Sequence, residues 1–324
     1  MIVPQKARPF HAWSWGCVLI VAVPLTGLAI LGILVANGTL YWNTFRNTYD
    51  WQQRMGGNSS PINVKGGKEF PKADFSCTEL NDAELAELVH RMPHLQELSV
   101  SGTLITDLGL VAVQRLSRLK KLDVSGTKVT QEAVIRFRRK HTSLEVWSSD
   151  DVKRQEWGNK PLQMVADLGG ATSLYIDTAP CISLADCRLG DEDLSLIFGD
   201  PTFCERVCLR NTNVASVGLR NLPKTLTVLN LAGTQIGDFE IKHLRGVQVL
   251  ILRGTRVSDA GLPPLEGDLI HLDLRDTAVT DAGLERFTEL PPFTSLRFLR
   301  LKGSRVANAG IQKLRAALPN TKIE

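Results

Sequence analysis

Leu226–Ile241 reads LTVLNLAGTQIGDFEI, Val247–Leu262 reads VQVLILRGTRVSDAGL, and Leu269–Leu284 reads LIHLDLRDTAVTDAGL. These are three copies of one phrase, L-x-x-L-x-L-x-x-T-x-V-x-D-x-G-L. Their central leucines, Leu231, Leu252 and Leu274, are spaced by 21 and then 22 residues. Alternating leucines predict a short strand with one buried face, because successive side chains of a strand point to opposite sides. A fixed period of this length predicts a solenoid, in which each unit buries its apolar face only against its neighbours.

Working outward, the same phrase recurs toward both ends. Phe75, Val100 and Val124 occupy the central position in an early block. Leu184, Leu209, Leu231, Leu252, Leu274 and Leu301 occupy it in a later one, so nine copies are recognisable. A Thr stands three residues after most of these positions, as at Thr103, Thr127, Thr234 and Thr277, with Cys187 and Ser304 in its place in two copies. A small polar side chain there is placed to satisfy backbone groups where the strand turns away. An Asp opens the segment that follows, at Asp82, Asp107, Asp191, Asp238, Asp259 and Asp281. That column fits helix capping and the helix dipole better than a ladder of cation sites. Between Arg138 and Ala179 the pattern lapses. Leu144 and Val146 suggest one more strand there, Pro161–Leu168 a helix stopped by Gly169-Gly170, and Ser173–Asp177 a further strand.

The amino-terminal part is different. No Asp, Glu, Lys or Arg lies between Arg8 and Arg46, and Trp15–Val35 reads WGCVLIVAVPLTGLAILGILV. As a helix this run is about 30 Å long, the thickness of a bilayer core. Trp13 and Trp15 at one end and Tyr41 and Trp42 at the other suit the membrane interface. The apolar core is longer than that of a cleaved signal peptide. Lys6 and Arg8 precede it, which puts the amino terminus in the cytoplasm and the repeats outside. The expected organisation is a cytoplasmic tail (1–12), a single-pass transmembrane helix (13–36) and a Gly/Ser/Pro-rich tether (37–73). A first repeat block (74–149), an irregular stretch (150–180) and a second repeat block (181–324) follow.

Hydrophobic content of 43%, charged content of 22% and a formal net charge of +4 describe a folded chain without the dense basic face that nucleic acid requires. The six cysteines form no C-x-x-C pair and read as small core residues. The six histidines have no metal-ligand spacing, and no nucleophile elbow, P-loop or dinucleotide fingerprint is present. The expectation is therefore no catalytic residue, no metal, no cofactor and no small-molecule substrate.

The phrase resembles the leucine-rich repeats of the cysteine-containing subfamily. It is closer still to the variant with Thr at the ladder position found in membrane-anchored bacterial proteins of the planctomycete type. The resemblance covers about residues 75–324 outside the irregular stretch. It implies an α/β solenoid with parallel strands on the concave face and helices on the convex face, preceded here by one transmembrane helix. It also implies a non-enzymatic scaffold that binds a protein partner on its concave face. The residues left free by the repeat then carry specificity. In the later block these turn basic at Arg210, Arg253, Arg275, Arg300 and Lys302. That strip suits an acidic protein surface or an anionic wall polymer, and the alternative role is that of a structural envelope protein that binds such a polymer or associates with its own copies.

Overall fold

The computed structural model describes residues 62–64, 67–69, 71–154, 160–173, 181–198, 204–241, 244, 246–262, 269–289 and 295–324. The expected transmembrane helix and cytoplasmic tail lie outside the described residues. Among those described, no helix is long and apolar enough to cross a membrane.

The described chain opens with β1 (Ile62–Val64) and β2 (Gly67–Glu69), an antiparallel hairpin within the stretch expected to be a flexible tether. Four parallel strands follow in one sheet: β3 (Lys72–Asp74), β4 (Glu97–Ser99), β5 (Lys121–Asp123) and β6 (Glu145–Trp147). Strand β6 is the extra strand expected around Leu144 and Val146. A second sheet of eight strands contains β7 (Ala171–Ser173), β8 (Cys181–Ser183), β9 (Arg206–Cys208), β10 (Val228–Asn230), β11 (Val249–Ile251), β12 (His271–Asp273), β13 (Phe298–Arg300) and β14 (Lys322–Ile323). From β8 onward every pairing is parallel and in register, one strand per repeat. Strand β7 runs antiparallel to β8 and starts at Ala171 rather than at Ser173 as expected. The helix before it, Lys160–Asp167, ends at Gly169, whose φ of +84° is a conformation a side chain disfavours.

Repeat length sets what lies on the convex side. The 27 residues from Leu274 to Leu301 hold a nine-residue helix, Asp281–Glu289. The 21 residues from Leu231 to Leu252 hold one turn, Asp238–Ile241. In the next copy, Asp259–Leu262 is only a turn, where a helix was expected. Each block has its own apolar core of central and flanking leucines. One runs from Ala73 to Val146 and the other from Val165 to Ile323.

The backbone turn after each strand is uniform. The residue two after each central position has positive φ in all nine copies: Cys77, Gly102, Gly126, Asp186, Asn211, Gly233, Gly254, Asp276 and Gly303. Gly, Asn and Asp tolerate this region best, and eight of these nine residues belong to those types. The following hydroxyl then turns back within its own repeat. Thr103 Oγ1 donates to the Val100 carbonyl at 2.6 Å, and Thr234 Oγ1 to the Leu231 carbonyl at 2.7 Å.

Adjacent repeats are linked instead by the aspartate column, which does more than cap. Caps are supplied one residue earlier, as when Asn81 accepts from Ala83 and Glu84 and Thr106 accepts from Leu108. The aspartate reaches forward to the next repeat. Asp82 accepts from Thr106 N and Oγ1 at 2.9 and 2.6 Å, and Asp259 from Thr280 N and Oγ1 at 2.7 and 2.6 Å. This close approach explains the glycine of D-x-G-L. A Cβ on Gly261 would stand 2.5 Å from Asp238 Oδ1, so the carboxylate that holds the next repeat would have to shift.

Candidate binding surface

The concave positions are the residues between and just after the inward leucines. In an open solenoid they face solvent, which is what the resemblance implied. Here they are buried in both blocks: Asp74, Ser76, Ser99, Ser101, Asp123 and Ser125 in the first, Ser183, Cys208, Arg210, Asn230, Asp273 and Arg300 in the second. The reason is that the two sheets pack face to face. Arg206 donates to the Ser76 carbonyl at 3.1 Å and pairs with Asp74 at 3.6 Å. Asn230 Nδ2 donates to the Cys77 carbonyl and to Glu79, both at 3.1 Å. A small apolar cluster of Cys77, Cys181, Cys208 and Val228 fills the space between them. Cys77 and Cys181 are joined by a disulfide across the seam, which corrects the expectation that the cysteines are only core fillers.

The five residues of the expected basic strip fall into two groups. Arg210 and Arg300 are buried, with side chains 4% and 8% exposed. Arg210 pairs with Asp186 at 2.9 Å and donates to the Gly102 carbonyl across the seam at 3.4 Å. Arg300 lies 3.7 Å from Glu84 of the first block, 3.7 Å from Glu324 and 3.9 Å from Asp273. Burial makes Arg300 easier to deprotonate than an ordinary arginine. Asp273 opposes that shift, and the like charge of Arg275 adds to it.

The other three stand at the edge. Arg253 is 42% exposed and bridges Glu79 at 3.4 Å and Asp276 at 3.1 Å. Arg275 forks onto Asp273 with contacts of 2.5 and 2.9 Å. Lys302 is exposed. They follow β11, β12 and β13, so neighbouring strands set them about 4.8 Å apart per step. The sequence reading missed the acidic complement of this strip, Glu79 and Glu84, and the neighbouring pair of Asp74 with Arg206. Part of the signal was available: the first block's concave columns are small or acidic, as at Asp74 and Asp123, where the second block's include Arg210, Arg253, Arg275 and Arg300.

Burial pushes the Cys204 thiol up to about 12 and the Cys208 thiol up to about 11, far from the thiolate that attack or metal binding requires. Among the described residues no group of three His, Cys, Asp or Glu is arranged to hold a metal ion.

The fold and spacing define a solenoid of short repeats whose strands form two facing sheets. A family model described as Leucine Rich repeat matches residues 91–113, 223–238 and 268–287. Among solved structures, the chain is similar to an LRR protein of Leptospira interrogans at 16% identity and a TM-score of 0.32. That match covers 74% of this chain and 56% of that one, so this chain spans little more than half its length. A chain of the yeast Rad7 and Elc1 complex matches at 15% identity and a TM-score of 0.41, covering 94% of this chain and 93% of that one. An internalin (inlF) of Listeria monocytogenes matches at 14% identity and a TM-score of 0.37, covering 85% and 93%. No curated protein matches.

Proposed function

We propose that this chain is a membrane-anchored, non-enzymatic binding module whose protein partner meets the open end of the basic strip. One observation carries this reading. The concave face is largely consumed within the chain, yet Arg253, Arg275 and Lys302 remain at its edge on three successive repeats. Their positive charge suits an acidic protein surface, whose carboxylates would share Arg253 with Glu79 and Asp276 and Arg275 with Asp273 while meeting the exposed Lys302 directly. Arg210 and Arg300, by contrast, act within the molecule as the seal between the sheets.

The uncharged Trp15–Val35 run supports the anchor. The disulfide between Cys77 and Cys181 supports an oxidising, extracytoplasmic side for the repeats. The test is capture from an envelope extract by the full chain in detergent, beside an Arg253→Glu/Lys302→Glu variant. A discrete protein band that the variant loses is the expected result. A band retained by the variant rejects the strip, and retention on wall polymer without a band replaces the protein partner by an anionic polymer. A reporter fused to the carboxy terminus and active only in the cytoplasm overturns the topology.

A further inference from the structure

The convex side of the first block has a character that no part of the proposed function uses. From Leu108 to Leu144 the sequence holds nine Lys or Arg residues against two acids, Asp123 and Glu132. That is a net +7 within a chain whose total is +4. Asp123 is buried on the concave side, which leaves Glu132 as the exposed acid of the stretch.

Two helices, Asp107–Val113 and Gln131–Lys140, lie side by side here, joined by Asp107, which accepts from Thr130 N and Oγ1 at 2.7 and 2.8 Å. A repeat helix should turn polar residues outward. These instead expose Leu108 at 72%, Val111 at 60% and Ile135 at 40%. Leu108 and Val111 form one wall of a cleft of about 290 Å³ between the helices, with Phe137 at its base and Arg136 and Lys140 on the other wall. Arg115 and Arg139, both exposed, extend the basic border.

We infer that this face docks on an anionic lipid surface. Apolar side chains standing clear of a helix pair and bordered by long basic side chains are the arrangement of an interfacial membrane contact. The apolar tips enter the acyl boundary while the guanidinium and ammonium groups meet phosphate. The charge is diffuse and predominantly positive, with Asp107 in the cleft lining, Glu132 exposed and Arg138 paired with Asp151 as the exceptions, and this excess favours a lipid sheet over a single acidic helix. The inference stands without the transmembrane anchor, because it rests on the repeat domain alone.

The test uses the full chain reconstituted into vesicles of zwitterionic lipid or of the same lipid with one quarter anionic lipid. An environment-sensitive fluorophore is placed by Leu108→Cys in a Cys17→Ser background, where the remaining free thiols described, Cys187, Cys204 and Cys208, are buried. Both compositions hold an apolar amino-terminal segment alike, so their difference reads the face. The expected result is a blue shift on anionic vesicles alone, reversed by salt. Arg136→Glu/Lys140→Glu should weaken docking by about 30-fold or more, counting roughly fivefold for each charge lost. Both positions are exposed, and an unchanged melting temperature establishes that the variant folds. Equal emission on both compositions, or a blue shift that survives charge reversal, overturns the inference.

Discussion

The four-stranded and eight-stranded sheets are built from the same phrase but offer each other opposite chemistry. The first presents Asp74, Ser76, Ser99 and Ser101 to the seam; the second presents Arg206, Cys208, Arg210, Asn230 and Arg300. Inward positions are alike in both because stacking dictates them. Seam positions are free of that demand, and they have diverged into a small, acidic set and a larger, more basic one in which Asp273 and Ser183 are exceptions. The two blocks also differ in what holds them. Each has its own leucine core, whereas the seam between them rests on ion pairs, backbone contacts, one disulfide and a small apolar cluster. Buried ion pairs add little net stability over apolar packing, but breaking one is costly, so they select which surfaces meet.

The largest way to break this pairing is to remove the disulfide. Cys77 and Cys181 close a loop with a sequence separation of 104. By the chain-entropy argument the crosslink stabilises the fold by about 4.7 kcal/mol. Refolding in reductant should lower the urea midpoint accordingly, and an unchanged midpoint would show that the polar contacts alone hold the sheets together.

Next in size is Asp74→Ala. It leaves the Arg206 guanidinium, 6% exposed, without its carboxylate across the seam. A loss of about 3 kcal/mol is expected. Asp74→Ala/Arg206→Met should recover much of it, and a double variant no more stable than the single one would argue against the pair as the cause.

The repeat was legible because its signal is periodic. The leucines, the hydroxyl column and the aspartate column all recur at fixed offsets, so strands, core and register follow from them. The aspartate's role was less legible: an Asp at a helix start reads as a cap, and only coordinates show its carboxylate reaching Thr106 or Thr280 in the next repeat. The positive-φ column was visible as Gly, Asn or Asp before each Thr, with Cys77 the exception. The face-to-face seam was hidden, because a local pattern carries no information about where a second block packs. Its trace was the complementarity of Asp74, Glu79 and Glu84 to Arg206, Arg253 and Arg300. The basic residues of the second block call for acidic partners, and the chain itself supplies some of them, Glu79 to Arg253 and Glu84 to Arg300.

Within one sheet, the aspartate column predicts a coupled effect. Asp259→Ala removes the acceptor of two Thr280 donors and should cost about 1–2 kcal/mol. Gly283→Ala alone should also destabilise, since its Cβ would meet the Asp259 carboxylate. In the Asp259→Ala background the carboxylate contact is gone and only the Cβ of position 259, at 2.9 Å, still presses on the new methyl, so the second substitution should cost less. Additive losses in chemical denaturation would show that glycine is needed there for another reason.

The smallest effect concerns acid. Burial by itself would raise the Asp186 carboxyl. Hydrogen bonds from Arg210 and Asn211, with the charges of Arg210 and of Lys128 in the first block, more than offset this and hold it below the ordinary carboxylate value. A carboxyl lowered on folding contributes stability that is fully present above its unfolded value and is lost as pH falls through its folded value. Asp186 is about half exposed, so the contribution is screened and modest. Asp186→Asn tolerates the positive φ of +61° while removing the charge. The variant should therefore melt slightly lower than the native chain at neutral pH and converge with it below the carboxylate range. Curves that stay parallel down to low pH would mean that Arg210 is held across the seam by the Gly102 carbonyl and not by this charge.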